Sequence, residues 1–150
     1  MNKENKDLLL RDLCGRVPYG VKISVQSWDE REMEYVDRID VLYSVNGDEY
    51  IKSVNEDYDF SLEDIKPYLF PLSSISEDQK YDFYCRFIEN DCNFDDFKKF
   101  YLYNGMWRRK LLTSLYDIEA IIEWFHKNHI DYRGLIEKGL AIDATELNIY

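Results

Sequence analysis

The chain has 150 residues, 45% of them apolar, with 19 basic against 30 acidic side chains and a formal charge of −11. That apolar content excludes a disordered polymer and supplies enough chain for a hydrophobic core. The acidic excess, present in both halves, excludes the basic field that nucleic acid or an anionic membrane surface attracts.

Residues 3–14 are predicted to form an amphipathic helix that turns Leu9, Leu10 and Leu13 inward and stops at Gly15. Arg16 to Gly20 reads as a turn, with Pro18 and Gly20 as punctuation. Val21 to Gln26 alternates apolar and polar, the period of a half-buried strand. Trp28 to Glu34 reads as a charged connector. Ile39, Val41, Tyr43 and Val45 alternate again, and Asn46-Gly47 separates them from the run Glu49 to Val54. Asn-Gly between two β-rich runs predicts a hairpin, because both residues tolerate the positive φ of a type I′ turn. Tyr50 and Lys52 fall on one side of the last strand and Ile51 on the other, which makes it an edge.

Ser61 to Asp64 opens a helical turn, and Ile65 to Leu72, interrupted by Pro67 and Pro71, reads as extended or irregular chain. Ser76 and Gln79 form a capping box. The helix it starts carries Tyr81, Tyr84, Cys85 and Ile88 as one stripe, widened by Phe83 and Phe87. Phe94, Phe97, Phe100 and Tyr101 predict a further short helix ending near Asn104-Gly105. The clearest amphipathic period is Ile118, Ile121, Ile122 and Phe125, with Ser114 or Asp117 as cap and Trp124 widening the stripe. His126, Lys127 and His129 sit where the helix dipole is negative. This helix is expected to be the main lid on the core. Without repeats or a dividing linker, the expected fold is one α+β domain over residues 1–150. Its sheet has about three antiparallel strands and one Asn-Gly hairpin, packed on three or four helices.

No stretch approaches the roughly 20 apolar residues of a membrane span, and MNKENKDLLLRDL lacks the apolar core of a secretory signal. Three sparse cysteines, Cys14, Cys85 and Cys92, point to free thiols in a reducing cytoplasm. His126 and His129 have i, i+3 spacing, but CxxC and HExxH are absent and no metal is expected. Cys14 beside Arg16 is read as a small buried thiol, with an activated thiolate as the alternative. Glycine-rich phosphate loops and a GxSxG elbow are also absent, so no cofactor and no catalytic residue is assigned. Trp107-Arg108-Arg109-Lys110 is the lone basic cluster, better suited to acidic neighbours or a helix cap than to nucleic acid.

Thirteen tyrosines among 24 aromatics (13 Tyr, 8 Phe, 3 Trp) suit partly wet protein contacts. Residues 48–64 hold seven acids against Lys52, among them Asp48, Glu49, Glu56, Asp57 and Asp59. Asp131, Tyr132 and Arg133 follow a helix end. There an arginine beside a tyrosine offers a partner a bidentate donor and a stacking face. The alternative is that Arg133 pairs with Asp131 or a helix carboxylate and locks the C-terminal segment. These eight residues are the candidate partner contacts.

Leu13 to Val21 (LCGRVPYGV), Ile65 to Ser74 (IKPYLFPLSS) and His129 to Ile142 (HIDYRGLIEKGLAI) together carry a resemblance. They are similar to a family of short uncharacterised proteins of gut Bacteroidales genomes and their phages or mobile elements. The resemblance implies a cytoplasmic accessory protein and transfers no catalytic residue. The expected function is therefore non-enzymatic: an acidic, tyrosine-rich module that docks onto another protein, for which its charge suits a basic surface. The alternatives are an acidic nucleic-acid mimic inhibiting a defence or regulatory protein, and an enzyme with an unrecognised site. Oligomeric state is left open.

Overall fold

The computed structural model describes residues 1–46, 50–88, 92–102 and 115–150. The Asn46-Gly47 turn beyond Asn46, the basic cluster 107–110, Asn104-Gly105 and the Ser114 cap therefore lie outside the described residues, as do Asp48 and Glu49. The chain divides into two compact units, Met1–Leu69 with Arg133–Tyr150, and Phe70–Tyr132.

The first unit opens with α1 (Lys3–Arg16), capped by Asn2, whose side chain accepts the Asn5 N–H at 2.8 Å. The helix does not stop at Gly15. It continues to Arg16, whose guanidinium grips Asp12 one turn back, and ends in a 3-10 turn (Val17–Tyr19) with Gly20 left-handed at φ 61°. Leu9 and Leu13 are buried as expected of the apolar stripe, whereas Cys14 is exposed and is not the buried thiol expected.

The strands are β1 (Lys22–Asp29), β2 (Glu34–Val45), β3 (Tyr50–Ser53), β4 (Phe60–Ser61), β5 (Lys66–Pro71), β6 (Ile130–Asp131) and β7 (Ile142–Asp143). In the first unit the order is β4-β3-β2-β1-β5, antiparallel throughout, with β7 parallel to β5. Seven strands of mixed direction thus replace the three antiparallel ones expected, within an α+β architecture.

Three local causes account for the difference. Trp28 to Glu34 is not a connector: β1 and β2 run through it, because Asp29 accepts the N–H groups of Arg31 and Glu32 and closes a four-residue turn. Met33, at φ 55°, completes that turn by donating its N–H to Asp29 O. β3 is not an edge, since β4 covers it. Pro67 does not exclude a strand either. It lies opposite Ile23, whose main-chain groups face β2, so the ladder from β1 asks no donor of it.

The inward residues of these strands meet α1 and the C-terminal segment in one core that includes Leu9, Leu13, Ile23, Val25, Ile51, Phe60, Leu69 and Leu135. Towards Lys22 the β1–β5 ladder ends at Ile23 and Pro67. Where the next rung would fall, the Tyr150 hydroxyl stands in: it accepts the Lys22 N–H and donates to Tyr68 O, both at 2.9 Å. Lys22 Nζ also donates to Ile149 O.

Burial pushes the Tyr150 phenol up to about 12, although the Lys22 N–H and the Arg16 charge work the other way. A folded-state value above the ordinary 10.0 stabilises the fold fully below pH 10, and that stability is lost as pH climbs towards 12. Tyr150→Phe is expected to cost about 1–3 kcal/mol, because two main-chain groups lose a partner. Urea midpoints measured between neutral pH and pH 11 check this: the variant should be weaker at neutral pH and should lose less of its stability above pH 10.

The second unit begins with the last two residues of β5, which pair parallel with β6 in the register Phe70↔Ile130 and Pro71↔Asp131. Its first helix, α2 (Glu77–Phe87), has the expected capping box: Ser76 Oγ accepts the Gln79 N–H, and Gln79 Oε1 accepts the Ser76 N–H. The buried stripe differs from the one expected. Phe83 and Ile88 are inside while Tyr81 and Cys85 are exposed, because phenylalanine gives up no hydroxyl on burial and tyrosine does. A short α3 (Phe94–Asp96), capped by Asn93, continues as a π turn over Phe97–Leu102. The final helix, α4 (Leu115–Lys127), buries Ile121, Trp124 and Phe125, with Ile118 and Ile122 half-buried. Phe83 makes ring contacts with Phe87, Phe97, Trp124 and Phe125 at 4.9–6.0 Å between centroids. Trp124 Nε1 donates to Asp82 at 2.7 Å.

Candidate functional site

β1 and β2 pair along eight residues, Lys22↔Val41 to Asp29↔Glu34, whereas β5 meets only the start of β1 and β3 only the end of β2. The far half of the hairpin is therefore a two-stranded arm. Strand alternation sends Ile23, Val25 and Ser27 inward and Ser24, Gln26 and Trp28 outward. Opposite residues share a face, so Tyr35, Asp37 and Ile39 join Trp28 on the outer side.

Trp28 and Tyr35 are directly opposed, their rings edge to face at 5.3 Å, yet they remain 46% and 67% exposed. Such a pair holds the arm together but leaves most of its apolar area in water. Ile39, Tyr43 and Tyr50 are exposed as well, Tyr43 at the bulge between Leu42 and Ser44.

Carboxylates flank this surface. Tyr43, Lys52, Ser53, Val54, Glu56 and Asp57 line a cleft of about 280 Å³. Asp29 is held below the usual carboxylate range, first by the N–H groups of Arg31 and Glu32 and then by Arg38, whose Nη2 lies at 2.9 Å. Asp40, beneath the face, is also lowered. Burial works to raise it, but the Ser53 hydroxyl beside it, the N–H groups of Val41 and Asn55 and the Asn55 amide prevail. Both groups stay anionic at neutral pH.

The residues singled out from sequence are distributed differently. Asp131 and Tyr132 are buried in the second unit. Tyr132 stacks on Phe125 (5.0 Å, 16°) and its hydroxyl is 3.1 Å from Nε2 of buried His126. Arg133 belongs to the first unit, with Nε 3.3 Å from Oδ1 of Asp12 on α1. Asp12 is fully buried, and it also holds Arg16 through Nε at 2.6 Å and Nη2 at 3.2 Å. Glu56, Asp57 and Asp59 lie on the β3–β4 loop, Asp59 within 3.5 Å of Lys52.

Trp28 and Tyr35 escaped the sequence reading because the charges around Trp28 masked the strand period, and Ile39, although read as part of a strand, was not singled out as exposed. The available signal was two aromatics placed symmetrically about the four residues Glu30–Met33.

For chemistry at a nucleophile the arrangement offers little. Burial, and then the Asp96 charge, push the Cys92 thiol up, which disfavours thiolate. Among the described residues no group of three or more His, Cys, Asp or Glu could share a metal ion, and no helix is long and apolar enough to cross a membrane. Comparison of the chain with protein-family models, curated proteins and solved structures found no match.

Proposed function

We propose that the chain is a non-enzymatic interaction module that binds another protein, one with a basic surface, through the outer face of β1–β2–β3. The observation that carries this reading is the exposed pair Trp28 and Tyr35, continued by Ile39, Tyr43 and Tyr50 and bordered by carboxylates. Aromatics that pack as rigid anchors yet remain in water are the side chains that dominate binding energy when a partner covers them. The net charge of −11 selects a cationic partner by steering it. A cytoplasmic setting belongs to the same reading.

This reading is preferred to acid-only mimicry of nucleic acid because the acids of residues 48–64 are partly spoken for. Asp59 pairs with Lys52, and Glu63 pairs with Lys6 at 3.1 Å and with the N-terminal amine at 3.6 Å.

The test is affinity capture with the purified chain at physiological salt, alongside a Trp28→Ala, Tyr35→Ala variant. A specific partner should bind the parent chain about 30-fold or more tighter than the variant, the loss expected of an anchor worth roughly 2 kcal/mol. Equal capture by both chains, or no specific partner for either, sinks the proposal. Binding that ignores the aromatics but collapses as salt rises would favour mimicry instead.

A further inference from the structure

The outer arm has a second property besides its aromatics, namely an open main-chain edge. Leu42 donates its N–H to Val21 O at 2.9 Å, which fixes the direction of its main-chain groups towards β1. Main-chain direction alternates along a strand, so Asp40, Arg38 and Val36 face β1 as well. Val41, Ile39, Asp37 and Tyr35 face the opposite way. Val41 confirms the parity, since its carbonyl accepts the Val54 N–H at 3.0 Å on that side. Beyond Val41 no strand follows: β3 pairs only with Leu42 to Val45. The N–H and C=O groups of Tyr35, Asp37 and Ile39 thus have no hydrogen-bond partner among the described residues. Folded proteins commonly blunt such an edge with proline, lysine, a bulge or other charges. β2, with 12 residues, has neither proline nor lysine and its bulge lies past this stretch at Leu42–Ser44, so charge alone, from Asp37 and Arg38, guards it.

Charge decides what covers it. If the same edge of a second copy paired antiparallel about a two-fold axis at Asp37, it would set Asp37 against its own copy, Tyr35 against Ile39, and two chains of charge −11 together. Like charges directly opposite one another oppose that pairing. A segment with a cation opposite Asp37 and apolar residues opposite Tyr35 and Ile39 satisfies all three positions at once.

We propose that β2 accepts an added strand on its Tyr35–Ile39 edge. The occupant is an extended segment of another protein that places lysine or arginine opposite Asp37, with β-branched residues two positions to either side. Main-chain bonds from the three open residues hold the segment, and the outer side chains select it. This deepens the interaction reading above and rests on it, by naming the partner's conformation and charge.

The probe is the end-blocked peptide Thr-Val-Thr-Lys-Thr-Val-Thr, added to the isotopically labelled full chain while amide hydrogen exchange is followed by NMR. At a free concentration about ten times its Kd, exchange at Tyr35, Asp37 and Ile39 should slow about tenfold. Val36 and Arg38, already bonded to β1, should not change. Strand addition predicts that alternation and surface adsorption does not. A peptide with proline in place of each valine keeps the charge and loses two paired N–H groups, and it should give no protection.

Asp37→Pro removes an edge N–H and the carboxylate while leaving the bonds to β1 in place, so it should fold with an unchanged circular dichroism spectrum and lose the effect. Asp37→Lys should reject the lysine peptide and accept its glutamate counterpart. Protection without alternation, no protection at millimolar peptide, equal binding of the proline peptide, or retained binding by Asp37→Pro each overturns the inference. A dimer of the parent chain that Asp37→Pro dissolves overturns it too. Partner capture that survives Asp37→Pro but not loss of Trp28 and Tyr35 overturns strand addition alone and leaves the interaction module standing.

Discussion

Replacing Asp12 by alanine is expected to destabilise the chain by about 3–5 kcal/mol, the cost of stripping the counter-charge from a buried ion pair. Asp12 and Arg16 are each fully buried, one turn apart on α1, and joined by two hydrogen bonds. Arg133 reaches the same carboxylate from the C-terminal segment. Alanine leaves a guanidinium desolvated beside a void and removes one fastening of that segment to α1. Asn at the same position keeps the shape and one acceptor oxygen, so it should lose less than alanine does. Urea titrations of the two variants give the comparison, read from the midpoint at unchanged slope. An alanine variant within 1 kcal/mol of the parent chain would show that the ion pair is not what holds the segment.

A loss of about 3–5 kcal/mol is likewise expected of Phe83→Ala, here from a cavity. Phe83 is 2% exposed and its ring touches four other aromatic rings from α2, α4 and the π turn. The four rings, one edge to face, one stacked and two tilted against Phe83, cannot slide into the vacated volume without losing their own contacts, so the cavity stays open. Phe83→Leu refills much of it and should recover most of the stability. Tyr81→Ala, on the same helix but exposed, serves as the reference and should change little. Loss of near-ultraviolet circular dichroism from the aromatic cluster, ahead of the far-ultraviolet signal, would accompany the Phe83→Ala change.

The local signals in the chain were reliable wherever the controlling forces act within a few residues. The Ser76–Gln79 box, the half-buried period of β1, the apolar face of α4 and the 3-10 turn after Ser61 all formed as the residues indicated. Two misreadings were local, the turn that Asp29 closes and the last turn of α1 that Arg16 and Asp12 hold, but the others depend on a partner distant in the chain. β5 is a strand because Ile23 lies across from Pro67 and Ile142 beside Tyr68. Tyr150 fastens two strands 128 and 82 residues away. Arg133 meets Asp12, a pairing that sequence could offer only as one of several carboxylates.

The candidate face follows the same division. Composition announced an acidic, tyrosine-rich molecule, because charge and aromatic content are sums over residues and need no coordinates. Which tyrosines face water could not be summed. Tyr132 is buried under a histidine and Tyr35 stands exposed on an arm, although both follow an acidic residue in the chain. Burial is settled by what packs across the strand or helix, and that neighbour arrives only when the chain has folded.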